Sequence, residues 1–274
     1  MKTIKIVTLF SVLSITGISA QQIDTSLVGD YFAARANYSS NELMVRAAFA
    51  LLNTPYVAHT LEGNAEETLV VNLRELDCMT FVENCVALST AAQEPQPDYE
   101  RFVRQLQKIR YRDGVISGYT SRLHYTTDWI FNNACMGIIE DITAALGGKP
   151  FPVRVGFMSA HPESYSSLQH NPVDTEKMAV IENAINQRNT YSYIPKNEIR
   201  KRQSQIKSGD IVGFTTGIPG LDISHVGIAY WHNGQLSFIH ASTKANKVVI
   251  NPEPLVDYCK AIKTNTGIVV LRVK

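Results

Sequence analysis

The chain has 274 residues, of which 45% are hydrophobic and 19% charged, enough apolar side chains for one elaborated core. That composition excludes a disordered or collagen-like protein. Lys and Arg number 26 against 25 Asp and Glu, so a formal charge of +1 supplies no basic surplus for a nucleic acid partner.

At the N-terminus, Lys2 and Lys5 precede the apolar run Ile6 to Ile18, which ends in Ser19 and Ala20. Positive start, apolar centre and small-residue end are the pattern of a secretory signal over residues 1–20. The run is shorter than the about 20 residues a bilayer-spanning helix needs, and no later stretch is long and apolar enough. No Cys follows the expected cut, so nothing marks a lipid anchor. The expected location is the periplasm or the medium, and residues 21–274 are expected to form a single catalytic domain.

Apolar residues recur at helical spacing from Asn41 to Leu52 (Leu43, Met44, Ala47, Ala48, Leu51), and Asn53-Thr54-Pro55 breaks the pattern. A second helix is predicted over Cys78 to Gln93 and a third over Tyr99 to Ile109, with Phe102, Val103, Leu106 and Ile109 on one face. Residues 111–200 are mixed, and the stretch from about 95 to 200 reads as a mostly helical or irregular insertion, with helical character around Asn132 to Leu146. The last third changes to strand chemistry: Asp210 to Phe214, Val226 to Trp231, Leu236 to His240, Val248 to Ile250 and Gly267 to Val273 are rich in Val, Ile and aromatics. Helices followed by an antiparallel sheet define an α+β fold class. Lys196 to Lys207, mostly basic among its charges, reads as a solvated face.

The four cysteines are Cys78, Cys85, Cys135 and Cys259. Two turns of one helix separate Cys78 from Cys85, roughly 10 Å between Cα atoms, which no disulfide spans. No Cys/His cluster has zinc-ligand spacing. Cys85, Cys135 and Cys259 are expected to be small buried hydrophobes.

Asn233-Gly234 between two apolar runs predicts a hairpin with a two-residue turn. Counting outward pairs His232 with Gln235, Tyr230 with Ser237, Gly227 with His240, and His225 with Ser242. His225 and His240 are then diagonal neighbours on one face, close enough for two imidazoles to meet. Far from them in sequence, Asp77 is a candidate N-cap and places the Cys78 thiol at a helix start, where the helix dipole favours a thiolate. Amide hydrogens at that end suit the oxyanion formed when a carbonyl is attacked. A nucleophilic Cys, a His base and a second group orienting that His are the parts of a cysteine acyl-transfer site.

Four ordered motifs then resemble a family. Thr54-Pro55-Tyr56-Val57, Leu76-Asp77-Cys78-Met79-Thr80-Phe81, Ser224-His225-Val226-Gly227-Ile228-Ala229 and Phe238-Ile239-His240-Ala241-Ser242 are similar to those of the NlpC-type, papain-like cell-wall cysteine peptidases. The resemblance implies Cys78 as nucleophile, His225 as base, His240 as the orienting residue, and Tyr56 lining the site. The chain departs from the common pattern in Ala58 to Leu76 between Tyr and Cys, in Met79-Thr80 after the Cys, and in the long separation from Cys78 to His225. With Ser121 to Ile130 and Gly220 to His225, these features resemble a subgroup described as N-acetylmuramoyl-L-alanine amidase-like. That implies a peptidoglycan or muropeptide substrate cut between the lactyl group of the sugar and the first stem-peptide residue. The commoner members cut the γ-D-glutamyl bond to the diamino acid.

Arg122, His124, Tyr125, Asp128 and Trp129 form a polar and aromatic cluster suited to a sugar-peptide, with a ring to stack on and a cation for stem carboxylates. The same residues read equally as a solvated face beside a buried Trp. Asp222 reads as a turn residue. The chemistry needs no metal or cofactor. A non-catalytic wall-binding protein and an acyltransferase remain compatible with the residues.

Overall fold

The computed structural model describes residues 20–274 apart from 65 and 189. Residues 1–19, which carry nearly all of the expected export signal, lie outside the described ones. No helix among the described residues is long and apolar enough to cross a membrane.

Helix α1 spans Ala20–Ala33 and α2 spans Ser40–Ala50. A capping box of Ser39 and Glu42 starts α2, and its buried stripe is the expected Leu43, Met44, Ala47 and Ala48. Helix α3, Cys78–Ala92, is the central one: almost every residue from Thr80 onward is buried. Against it lies α4, Tyr99–Arg110, capped by Asp98 and burying Phe102, Leu106 and Ile109. Arg110 on α4 donates to Glu83 on α3 at 2.7 Å, both buried, and also to Val70 O at 2.6 Å.

Then follow α5 (Thr126–Cys135), β1 (Ile139–Asp141), β2 (Lys149–Pro150), α6 (Phe157–Ala160), α7 (Pro172–Gln187), β3 (Ser192–Pro195) and α8 (Ile199–Arg202). The predicted helical character around Asn132 to Leu146 is corrected: the helix stops at Cys135, Gly137 takes a positive φ of 71°, and the chain turns into β1. Only a residue without a side chain makes that turn at low cost. Cys135 is exposed, against the expectation of burial, whereas Cys85 and Cys259 are buried. Both β1 and β3 pair with β8, so the middle of the chain contributes to the central sheet. Its own small core gathers Tyr119, Tyr125, Val155, Met158, Met178 and Ile185.

Strands β4 (Ile211–Thr216), β5 (Ile223–His232), β6 (Gln235–Ser242), β7 (Lys247–Ile250) and β8 (Asn265–Val273), with α9 (Leu255–Ala261) before β8, complete the fold. The sheet order is β2-β3-β8-β4-β5-β6-β7, with β1 joining β8 off this path and every pair antiparallel. The α+β expectation therefore stands. Asn233 and Gly234 both have positive φ, 50° and 75°, as a two-residue hairpin turn requires. The register from His232↔Gln235 to Ile228↔Ile239 is the one counted from the sequence. Alternation sends Val226, Ile228, Ile239 and Ala241 toward α2 and α3, and Phe214, Ala229, Phe238 and Ile268 toward α9.

Candidate active site

Asp77 is the N-cap of α3: its carboxylate accepts from Thr80 N at 2.8 Å, while Thr80 Oγ1 accepts from Asp77 N at 2.9 Å. Cys78 is therefore fixed as the first helical residue. Leu76 N donates to Pro55 O and Val57 N to Leu76 O, a parallel bridge that holds Tyr56 beside the segment leading into α3. Tyr56 is half-buried, and burial and then the charge of a Cys78 thiolate push its phenol up.

Cys78 is partly exposed as a residue but its sulfur is enclosed, and the amide hydrogens of Val226, Cys78 and Met79 lie against that sulfur and favour the thiolate. They are outweighed. Burial, and next the Asp77 carboxylate, push the thiol up to about 12. This corrects the expectation of a thiol ionised by its helix end: the residue that caps the helix is itself an anion beside the sulfur.

His225 owes its position to a bulge in β5. The pairing passes from Phe214↔His225 to Thr215↔Ile223, leaving Ser224 unpaired, and Ser224 Oγ donates to Phe214 O at 3.3 Å and Asn265 Oδ1 at 3.2 Å. His225 Nε2 meets His240 Nδ1 at 2.7 Å, the diagonal contact read from the hairpin. Phe214 stacks on the His225 ring at 6.0 Å, Phe238 lies 4.5 Å from the His240 ring, and Tyr258 of α9 closes over both. In this apolar cage, burial lowers His225 to about 3, assisted by His240, and lowers His240 to about 4. Both imidazoles are neutral at pH 7.

The other expected site residues divide into two groups. Arg122 and His124 line a cavity of about 190 Å³ that also touches Asp77, Met79 and Thr80, at the start of α3. Arg122 is buried, donates to Glu62 Oε1 at 2.7 Å and lies 3.5 Å from Glu67; burial opposes its charge, but the two glutamates outweigh it. His124 Nε2 bonds Tyr119 O at 2.9 Å, and burial, with the Arg122 charge, lowers the ring to about 3. Its Nε2 is therefore the donor, and Nδ1 is left as an acceptor.

Tyr125, Asp128 and Trp129 are not among the residues that line that cavity. Tyr125 is buried and donates to Glu182 Oε1 at 2.7 Å. Asp128 is buried and holds Arg112 at 2.6 Å and Arg188 at 2.5 Å. Trp129 is 1% exposed, in the main core. Asp222, expected in a turn, is a buried carboxylate accepting from Thr127 N at 2.7 Å and Thr127 Oγ1 at 2.8 Å. Sequence reasoning missed Glu62, Glu83 and Tyr258. A larger cavity of about 970 Å³ lies between α1 and α2, lined by none of the site residues. Among the described residues, no group of three or more His, Cys, Asp or Glu could hold a metal ion.

A central helix that starts at Cys78, packed on an antiparallel sheet that carries paired imidazoles, defines the class: an α+β protein with helices and strands sharing a core. The model of the N-acetylmuramoyl-L-alanine amidase-like family matches residues 46–268, and the chain belongs to that family. No curated protein matches it. A solved N-acetylmuramoyl-L-alanine amidase from Bacteroides uniformis is similar, at 40% identity and a TM-score of 0.82 over 86% of this chain and 99% of that one. A Bacteroides fragilis protein provisionally described as a xylanase shares 43% identity at a TM-score of 0.79, over 84% of this chain and 100% of that one. A Legionella pneumophila protein, 22% identical at a TM-score of 0.73 over 92% of this chain and 95% of that one, shares the fold.

Proposed function

We propose that this chain is an exported cysteine amidase of the NlpC-type, papain-like kind, which hydrolyses the N-acetylmuramoyl-L-alanine bond of peptidoglycan fragments through a thioester. The observation that carries the reading is the 2.7 Å link from His240 on β6 to His225 on β5, the strand whose Val226 amide lies against the Cys78 sulfur. Family membership supports peptidoglycan as the substrate class.

The resting pair is a neutral thiol and a neutral imidazole. With Nε2 of His225 engaged by His240, Nδ1 is the nitrogen left to take the Cys78 proton as sulfur attacks the amide carbon. The amide hydrogens of Cys78 and Met79 sit at the helix end, where the oxyanion develops. The tetrahedral adduct collapses as its C–N bond breaks and protonated His225 gives its proton to the leaving alanine nitrogen. Water, deprotonated by His225, then attacks the thioester carbon; the C–S bond breaks, protonated His225 returns the proton to the departing sulfur, and the lactyl acid is released.

The same dyad would serve γ-D-glutamyl-diamino-acid cleavage. The family supports the amidase bond, and mass spectrometry of products from a defined disaccharide-tetrapeptide separates the two. Release of the intact stem peptide is expected; a surviving muramoyl-dipeptide rejects the amidase. No turnover, together with retained binding, makes the chain a wall-binding protein. Secretion of the full chain from a host, with cleavage near Ala20, tests export. The xylanase description of one neighbour finds little support in the cleft, since Glu62 is held by Arg122 and Glu83 by Arg110, whereas a glycosidase keeps two carboxyls free for substrate.

A further inference from the structure

His225 and His240 are the first two members of a longer row. His240 lies opposite Val249 across β6 and β7, and Asn251 N donates to Phe238 O at 2.8 Å, which places Asn251 opposite Phe238. Asn251 is thus diagonal to His240 as His240 is diagonal to His225, on the same face and one strand further on. Its side chain is buried at 7% exposure, and Nδ2 is committed to Glu253 O at 2.9 Å, so Oδ1 is the end left for a donor.

The hydrogen count along the row decides what that oxygen does. One proton lies between His225 Nε2 and His240 Nδ1. If His225 is to accept the Cys78 proton at Nδ1, its own hydrogen must be on Nε2 and must be donated to a bare Nδ1 of His240. A neutral His240 then carries its hydrogen on Nε2. That atom is buried and has no hydrogen-bond partner in the structure, and the neighbouring Asn251 side chain is the group that favours protonation of the ring. In the opposite tautomer His240 Nδ1 donates to His225, His225 carries its proton on Nδ1, and it cannot act as a base.

We propose that Asn251 is a positioning residue: its Oδ1 accepts from His240 Nε2–H, selects this tautomer of His240, and so leaves the Nδ1 lone pair of His225 free for the thiol. The inference rests on the cysteine-amidase reading for its catalytic consequence, but the tautomer itself does not depend on any substrate.

The test has two arms. Nitrogen-15 NMR of the imidazoles in the full chain, with the His240 signals assigned from their loss in His240→Gln, is expected to show His240 protonated at Nε2 and bare at Nδ1. In Asn251→Leu the Nε2–H population should fall. On a disaccharide-tetrapeptide, kcat of that variant should drop about 10- to 100-fold, the usual cost of losing an outer partner that fixes a ring tautomer, with KM within about twofold. Asn251→Asp keeps the acceptor and should restore both the Nε2–H signal and most of the kcat, which separates the role from packing should the Leu variant fold poorly. His240 protonated at Nδ1 in the wild type overturns the proposal, as does a folded Asn251→Leu with unchanged tautomer and kcat. A wild type that shows the expected tautomer without turning over substrate rejects the amidase reading and leaves the tautomer assignment standing.

Discussion

Gly227 lies between the two imidazoles, and the structure gives the cost of a methyl group there. A Cβ would sit 2.8 Å from Ile239 O, 2.8 Å from Phe238 Cδ2 and 3.2 Å from His240 Cβ. Ordinary carbon contacts begin near about 3.5 Å, so β5 and β6 must part by roughly half an ångström. Phe238 cannot swing aside, because Phe214 and Tyr258 pack on it at 5.1 and 4.8 Å. Overpacking of this kind costs about 1–3 kcal/mol, while replacing glycine returns about 0.5–1 kcal/mol through the unfolded chain. The net expectation for Gly227→Ala is a loss of up to about 2.5 kcal/mol, or as much as roughly 10 °C in Tm for a chain of this size. Catalysis should suffer more than stability, since separation of the strands stretches the 2.7 Å link. Denaturant unfolding and steady-state hydrolysis of a muropeptide measure both. A variant that unfolds with the wild type and retains its kcat refutes the account of a site set by strand spacing.

Cys78→Ser should fold normally and lose at least about a thousandfold in kcat, since a hydroxyl is a far weaker nucleophile in the same position; circular dichroism with product analysis checks both. Arg110→Met strands the buried Glu83 carboxylate and should cost about 3–5 kcal/mol in urea unfolding, much of it recovered by adding Glu83→Leu. In a Cys135→Ser background, iodoacetamide should alkylate Cys78 slowly at pH 7 and faster in Asp77→Asn, which keeps the cap and removes the anion that raises the thiol; equal rates contradict that cause. His124 has a folded pKa near 3 against 6.5 unfolded, so between those values the unfolded chain binds the extra proton. Its contribution is complete above pH 6.5 and is lost as pH falls, by up to about 1.4 kcal/mol per pH unit. Unfolding of His124→Gln from pH 6.5 to 5 should therefore show a shallower slope than the wild type.

The hairpin was legible because Asn233-Gly234 admits one turn type, and the turn sets which residues oppose one another. From it followed the meeting of His225 and His240. Asp77 was equally legible as a cap, since its signal is local. Asn251 was not, because the connection from Ser242 to Lys247 is not of a type that sequence alone fixes, and the β6 and β7 register depends on it. The burial of Tyr125, Asp128 and Trp129 was not read, although their spacing continues through Asn132 and Asn133, the i, i+3, i+4 stripe of a buried helix face. Proximity in sequence to Arg122 and His124 concealed that periodicity. The thiol was misjudged because a helix end and a capping carboxylate act on it with opposite sign, and their balance requires burial to be known. Short strands such as β1 and β2 carry too few residues for alternation to register.

Because α3 packs on one side of the sheet while His225 and His240 project from the other, the spacing of β5 and β6, whose ladder ends at Ile228, sets how far apart the two imidazoles lie. The sheet is thus the gauge that sets the gap of the machine. Whatever wedges that edge open is expected to part the two imidazoles while the interior is still folded.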